Sequence, residues 1–224
     1  MCGRYNISDD PFTQALLDEF GIDRHLETRY NIAPTEQVPV IRRGDHGYEL
    51  REMRWWLIPS WVKEPGTRYS MFNARAETVN ESPAFRAPFR HQRCILPASS
   101  FIEWHTEDGK KQPWLIRPTD RAIAFAGLWD HWGHGEGSIL SCCIVTCDAV
   151  PGFRRIHNRM PVMLEADQLQ RWLSPDTDTE SLMPYLQPQL PGDFELWPID
   201  EHINNARHKE TPVMTGDKIL LRAD

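Results

Sequence analysis

The chain has 224 residues, 40% hydrophobic and 25% charged, with nine Trp and nine Phe, proportions that exclude a disordered tail protein and allow a sizeable buried core. Its net charge of −7 at first discourages a nucleic-acid reading. No stretch approaches the ~18 uncharged apolar residues of a membrane span. The opening MCGRYNISDDPF has neither the basic nor the apolar region of a secretory signal. A cytoplasmic protein without membrane contacts is therefore expected, with reduced thiols at Cys2, Cys94, Cys142, Cys143 and Cys147.

In chain order, Asp9, Asp10 and Pro11 followed by Phe12, Ala15, Leu16 and Phe20 predict a short capped helix that ends at Gly21. Strand signals follow at Val38–Arg42, Glu49–Leu57, Met71–Thr78, Arg93–Trp104, Trp114–Arg117, Ala122–Leu128 and Ile139–Thr146, all rich in aromatic or β-branched residues. Glu107-Asp108-Gly109-Lys110 reads as a hairpin turn. Glu165–Leu173 and Thr179–Leu186 are predicted helices, and Phe194–Ile199 and Val213–Leu221 short terminal strands. Many strands with few helices predict an α+β, mostly β fold: a barrel-like antiparallel sheet core with a few short peripheral helices. One domain is expected over residues 1–224, with an acidic C-terminal part completing it, as a monomer.

The charge is unevenly spread. From Arg68 to Arg93 five Arg (68, 75, 86, 90, 93) face only Glu77 and Glu81, whereas Ser174 to Asp224 holds ten acidic and four basic residues. A polyanion responds to local potential, so a basic cleft in an acidic body is compatible with the total, as are scattered solvated arginines.

Cys2 is the most informative residue. Once Met1 is removed, it presents an α-amine and a thiol on adjacent carbons, and its open amino end can meet a carbonyl. The amine condenses with an aldehyde to a Schiff base, and the thiol then closes a five-membered thiazolidine ring. An α-amine titrates near ~7.7–8.0 and is substantially neutral at cytosolic pH, and a thiol near ~8.5 needs only modest activation. Arg4 lies on the same side as Cys2 if the segment is extended, where it could anchor a phosphate. In Met71–Thr78 the alternation places Asn73, Arg75 and Glu77 on one face, either of a polar cleft or of plain solvent exposure. Glu103, flanked by apolar groups, is a proton shuttle if desolvated, and His157 suits general acid–base work, although a lone His near arginines is more often a surface residue. His131, His134, Cys142, Cys143 and Cys147 fit no zinc spacing, so no metal or other cofactor is expected.

In order, the chain carries MCGRY, Tyr30-Asn31-Ile32-Ala33-Pro34, Trp55–Trp61 (WWLIPSW), Phe72–Thr78 (FNARAET), the stretch from Arg93-Cys94-Ile95-Leu96-Pro97 to Phe101-Ile102-Glu103-Trp104, Ile144-Val145-Thr146, and Ile156-His157-Asn158-Arg159-Met160-Pro161. This series resembles the SRAP (SOS response-associated peptidase) family, with the motifs spanning residues 2–164. The resemblance implies a compact, mostly β barrel-like fold and a basic cleft for single-stranded DNA containing abasic sites, including replication-fork junctions. It implies self-removal of Met1 and a covalent thiazolidine between Cys2 and the ring-opened abasic site. By the same resemblance Cys2 is the nucleophile, Asn73 orients its amine, Glu103 shuttles protons and His157 acts on the sugar hydroxyl. Arg4, Arg75 and Arg86 contact phosphates, Pro34 and Trp61 lie against bases, and Thr146 supplies a supporting hydrogen bond. Trp56 departs from the family, which usually has Gly there, and puts the path of the Trp55–Trp61 loop in question. Two other readings of the residues stay open: a cysteine peptidase acting on other proteins through Cys2, His157 and Asn73, and a non-catalytic single-stranded DNA-binding module.

Overall fold

A computed structural model describes residues 2–66 and 69–223; the expected loss of Met1 and the predicted contribution of Arg68 lie outside the described residues. Thirteen strands among them form two sheets: β1 (Tyr5–Ile7), β2 (Arg29–Ile32), β3 (Gln37–Gly44), β4 (Gly47–Trp55), β5 (Asn73–Arg75), β6 (Arg93–Ala98), β7 (Ser100–Glu107), β8 (Lys110–Pro118), β9 (Ile123–Trp132), β10 (Ile139–Asp148), β11 (Arg159–Pro161), β12 (Phe194–Pro198) and β13 (Ile219–Leu221). Four short helices lie at the periphery: α1 (Pro11–Asp18), α2 (Arg86–His91), α3 (Leu169–Leu173) and α4 (Thr179–Leu182). None is long and apolar enough to cross a membrane.

Strands β10, β4, β3, β6 and β9 pair in that order, and β9 pairs back onto β10, closing a five-stranded barrel. Closure removes the exposed sheet edges that would otherwise invite pairing with another chain. The expected antiparallel core needs one correction: β10 runs parallel to β4, with Ser141 opposite Arg54. Gly127 lets the barrel wall close up, because a Cβ there would sit 2.4 Å from Leu96 Cδ1 and 2.9 Å from Cys94 Sγ.

The second sheet has the order β13-β12-β8-β7-β1-β2 and is antiparallel throughout. Its inner face lies on the barrel, where the buried Tyr5 ring meets Trp55 at 5.1 Å and Phe125 at 6.0 Å, both edge-on. Its outer face carries a smaller apolar cluster of Ile102, Leu115, Ile199 and Ile203, flanked by Trp104 and Trp197.

Local chemistry accounts for the elements read correctly. Asp10 caps α1 by accepting from the Phe12 and Thr13 amides, and Gly21 takes φ 65° just beyond the helix. Asp108 and Gly109 hold φ 49° and 77°, the two positive values of a type I′ turn joining β7 to β8. Three segments differ from expectation. The run Arg93–Trp104 is two strands in different sheets, broken where the Ser99 amide turns to the Asn6 carbonyl at 2.9 Å. Of Met71–Thr78 only Asn73–Arg75 is strand; Ala76–Thr78 coils into a 3-10 turn, so Glu77 does not continue the face of Asn73 and Arg75. The final run contributes only Ile219–Leu221.

Candidate active site

Strand β10 divides its length between the barrel and the site. Its first half pairs with β4 and β9, and its second half carries β5 on one side (Ile144 opposite Asn73, Thr146 opposite Arg75) and β11 on the other (Asp148 opposite Arg159). Asn73 and the segment after His157 therefore hang on one strand, opposite Ile144 and Asp148. From the other sheet, β1 pairs with β7 with Tyr5 opposite Phe101, and the Ile102 amide donates to the Arg4 carbonyl at 2.9 Å. Continued along the chain, that register sets the amino end beside Glu103, which alternation turns to the same inner side as Phe101.

Four sequence-predicted residues meet at this point. Asn73 is buried, its Nδ2 donates to the Cys2 carbonyl at 2.9 Å, and its buried Oδ1 has no partner among the described residues. Glu103 is 2% exposed, and burial pushes its carboxyl up to about 7 against the pull of the positive amino terminus. Cys2 has no exposed surface in the 224-residue chain, which still carries Met1. Burial raises its thiol far above the ordinary range, and the Glu103 carboxylate raises it further. His157 is half-buried; burial lowers its pKa, and the charges of the amino terminus and Arg159 act the same way. His157 Nδ1 lies 2.9 Å from the Arg159 amide and 3.1 Å from the Arg159 carbonyl, so the backbone of Arg159 holds this side of the ring. The amino-terminal charge thus acts on Cys2, Glu103 and His157 alike.

Arg159 is a residue that sequence reasoning quoted within its motif without assigning a role. Its guanidinium donates to both Glu77 carboxylate oxygens at 2.6 and 3.0 Å, to Asp148 Oδ1 at 2.8 Å and to the Thr146 carbonyl at 2.7 Å. Burial pushes Glu77 up, but the Arg159 bonds outweigh it and hold the carboxyl below its usual range. Replacing Arg159 with Ala should therefore cost about 1–2 kcal/mol, because it strips a buried carbonyl of its donor and leaves Glu77 and Asp148 face to face. A urea midpoint and the NMR titration of His157 both equal to wild type would show that Arg159 does not hold this corner.

The other expected contacts are dispersed. Arg75 is exposed at the end of β5. Thr146 is buried and its Oγ1 donates to the Ala74 carbonyl at 3.3 Å, so it braces β5. Pro34 is half-buried, next to Thr35, whose amide bonds to the Trp55 carbonyl at 2.9 Å. Trp61 and Tyr69 are 65% and 66% exposed, and Trp56 packs inward on Phe72 at 5.5 Å. Arg86 is exposed at the first turn of α2. Arg4 turns to the outer face of its sheet, donating to Asn31 Oδ1 at 2.6 Å and the Ile203 carbonyl at 2.8 Å. Arg93 is no surface cation: it is 5% exposed and donates to the carbonyls of Trp172, Phe89 and Arg90.

Comparison with known proteins agrees with the motifs. The sequence profile of the SOS response associated peptidase (SRAP) family matches residues 1–206. The chain is 36% identical to the abasic site processing protein YoaM of Bacillus subtilis, over 97% of this chain and 99% of that one. It is 28% identical to the abasic site processing protein HMCES of Xenopus tropicalis, over 84% of this chain and 65% of that one. A crystal structure of a Bacteroides thetaiotaomicron protein superposes with a TM-score of 0.79 at 25% identity, covering 89% of this chain and 93% of that one.

Proposed function

This chain belongs to the SRAP family, and on that premise we propose that it processes abasic sites in single-stranded DNA by forming a covalent thiazolidine at Cys2, after hydrolysing its own Met1–Cys2 bond. One arrangement supports the reading above all: a buried carboxyl that titrates near neutrality and a buried asparagine converge on residue 2.

Asn73 Nδ2 fixes the Cys2 carbonyl, and its unpartnered Oδ1 is available to accept from the α-amine freed when Met1 leaves. The amine attacks C1′ of the ring-opened sugar to give a carbinolamine. Glu103, present as both acid and base at neutral pH, donates the proton with which water departs as the imine forms. The imine forms protonated, the thiol gives its proton to the Glu103 carboxylate as sulfur adds to the imine carbon, and the acid is restored with the ring nitrogen neutral, so the net change is loss of one water. His157, held by the Arg159 backbone through Nδ1, is suited to hydrogen-bond the sugar oxygen released by ring opening. Exposed Arg75 and Trp61 supply the cation and the apolar surface that single-strand binding uses.

A thiolate peptidase acting on other proteins is less well supported. Such a nucleophile needs a depressed thiol pKa, and burial moves Cys2 the opposite way.

Intact mass spectrometry tests the proposal directly. The purified chain should lack the mass of its first methionine. Mixed with an abasic oligonucleotide, it should gain the mass of the strand less one water. Retained methionine, or a strand recovered unmodified, would overturn it.

A further inference from the structure

The outer face of the six-stranded sheet is covered by a C-terminal loop whose residues 202–209 read His-Ile-Asn-Asn-Ala-Arg-His-Lys, an acid-free run inside an otherwise acidic tail. The run is held rigidly. Asn31, at φ 52°, donates through Nδ2 to the carbonyls of Ile203, Asn205 and His208 at 3.1, 2.9 and 2.9 Å. Trp104 Nε1 donates to Asn204 Oδ1 at 2.6 Å, and Arg4 to the Ile203 carbonyl at 2.8 Å. Lys209 is spent on the Asn31 carbonyl and Glu36.

Two features of this loop remain turned to solvent. The His202 and His208 rings stack at 5.6 Å with 28° between their planes, yet the His202 side chain is 80% exposed, so its second face is open. Asp200 Oδ1 meets His202 Nδ1 at 2.9 Å and leaves the side chain exposed. Beside it, Arg207 is exposed and enters no ion pair among the described residues.

We propose that this loop is a second nucleotide subsite: the open face of His202 stacks an unpaired base flanking the lesion, and Arg207 takes the adjoining phosphate. The inference rests on the reading of the chain as a single-strand DNA protein and adds a contact to it. An aromatic face beside an uncompensated cation is what sequence-independent single-strand binding requires. The subsite shares its strands with the reacting end: its anchors Arg4, at the start of β1, and Trp104, in β7, lie on the outer face of the sheet, next in sequence to Gly3 and to the inward-facing Glu103.

The test uses the full chain and single strands trimmed one nucleotide at a time from either end, read by anisotropy with lesion-free DNA and by adduct yield with abasic DNA. Wild type should gain affinity when one particular flanking nucleotide is restored. His202→Ala should lose about tenfold of that gain, and His202→Trp should recover it. Arg207→Ala should lower the salt slope of binding by about one on strands that include this nucleotide. The deficits should vanish once that nucleotide is trimmed away. Variants that track wild type along the whole series overturn the subsite alone. A wild-type chain that forms no adduct with any strand overturns the function on which it rests.

Discussion

Replacing Cys2 with Ala is expected to abolish the denaturation-resistant complex with abasic single-stranded DNA while leaving most of the non-covalent affinity, because the exposed arginines remain. Residue 2 contributes two separable groups, the α-amine and the thiol. Ala and Ser both keep an α-amine, so each variant should still form a Schiff base that borohydride reduction captures. Neither can close the thiazolidine, so without reductant the gel should show free strand. A residue placed ahead of Cys2 removes the amine, and that variant should give no band with or without reductant. Cys2 is fully buried, so Cys2→Ala also costs about 1 kcal/mol of stability, a loss too small to unfold the chain. A wild-type yield of unreduced adduct from Cys2→Ala would place the chemistry on another nucleophile.

The second large effect is expected at Glu103, in opposite directions for activity and stability. Glu103→Gln should slow adduct formation by about 10²–10⁴-fold, the usual contribution of a positioned acid–base group. Stability should move the other way with rising pH. The carboxyl ordinarily titrates at 4.5 and in the fold at about 7. Below 4.5 both folded and unfolded chains hold the proton. Between 4.5 and 7 only the folded chain does, so folding stability falls as pH rises through this window, by about 3 kcal/mol in all. Glutamine does not titrate and escapes the loss. Relative to wild type, Glu103→Gln should therefore gain about 6–12 °C in melting temperature between pH 4 and pH 8. A pH-independent difference between the two melting curves would mean that Glu103 is not held in its neutral form by burial.

Much of this site is legible in the sequence because its residues lie in motifs with a chemical reason for their composition. Cys2 can be read from its position, Glu103 from apolar neighbours within a strand run, and Asn73 from its spacing to Arg75. What stays hidden is long-range. Nothing local to Tyr5–Ile7 announces a strand, since three residues with a polar centre carry no period; its pairing with β7 nevertheless aims the amino end. Arg93 reads as a cleft cation because charge runs say nothing of burial, yet the carbonyls it satisfies come from as far away as Trp172. The parallel pairing of β10 with β4 joins segments far apart in sequence, beyond any hairpin signal. Arg4 is the sharpest case. Alternation places its side chain on a definite face, but only the returning C-terminal loop reveals what that face meets.

The strand that completes the barrel also sets the reaction's ruler. Because Asn73 and the His157 turn are both referenced to the second half of β10, opposite Ile144 and Asp148, a slip of one residue in that strand would move both relative to the amino end at once, while leaving each in its own local bonding. Mutational tolerance should therefore differ along one continuous segment. Volume changes at Ile139–Cys142 can be absorbed by neighbouring barrel staves, whereas at Ile144–Asp148 they would be transmitted undiminished to the spacing between amide, imidazole and sugar.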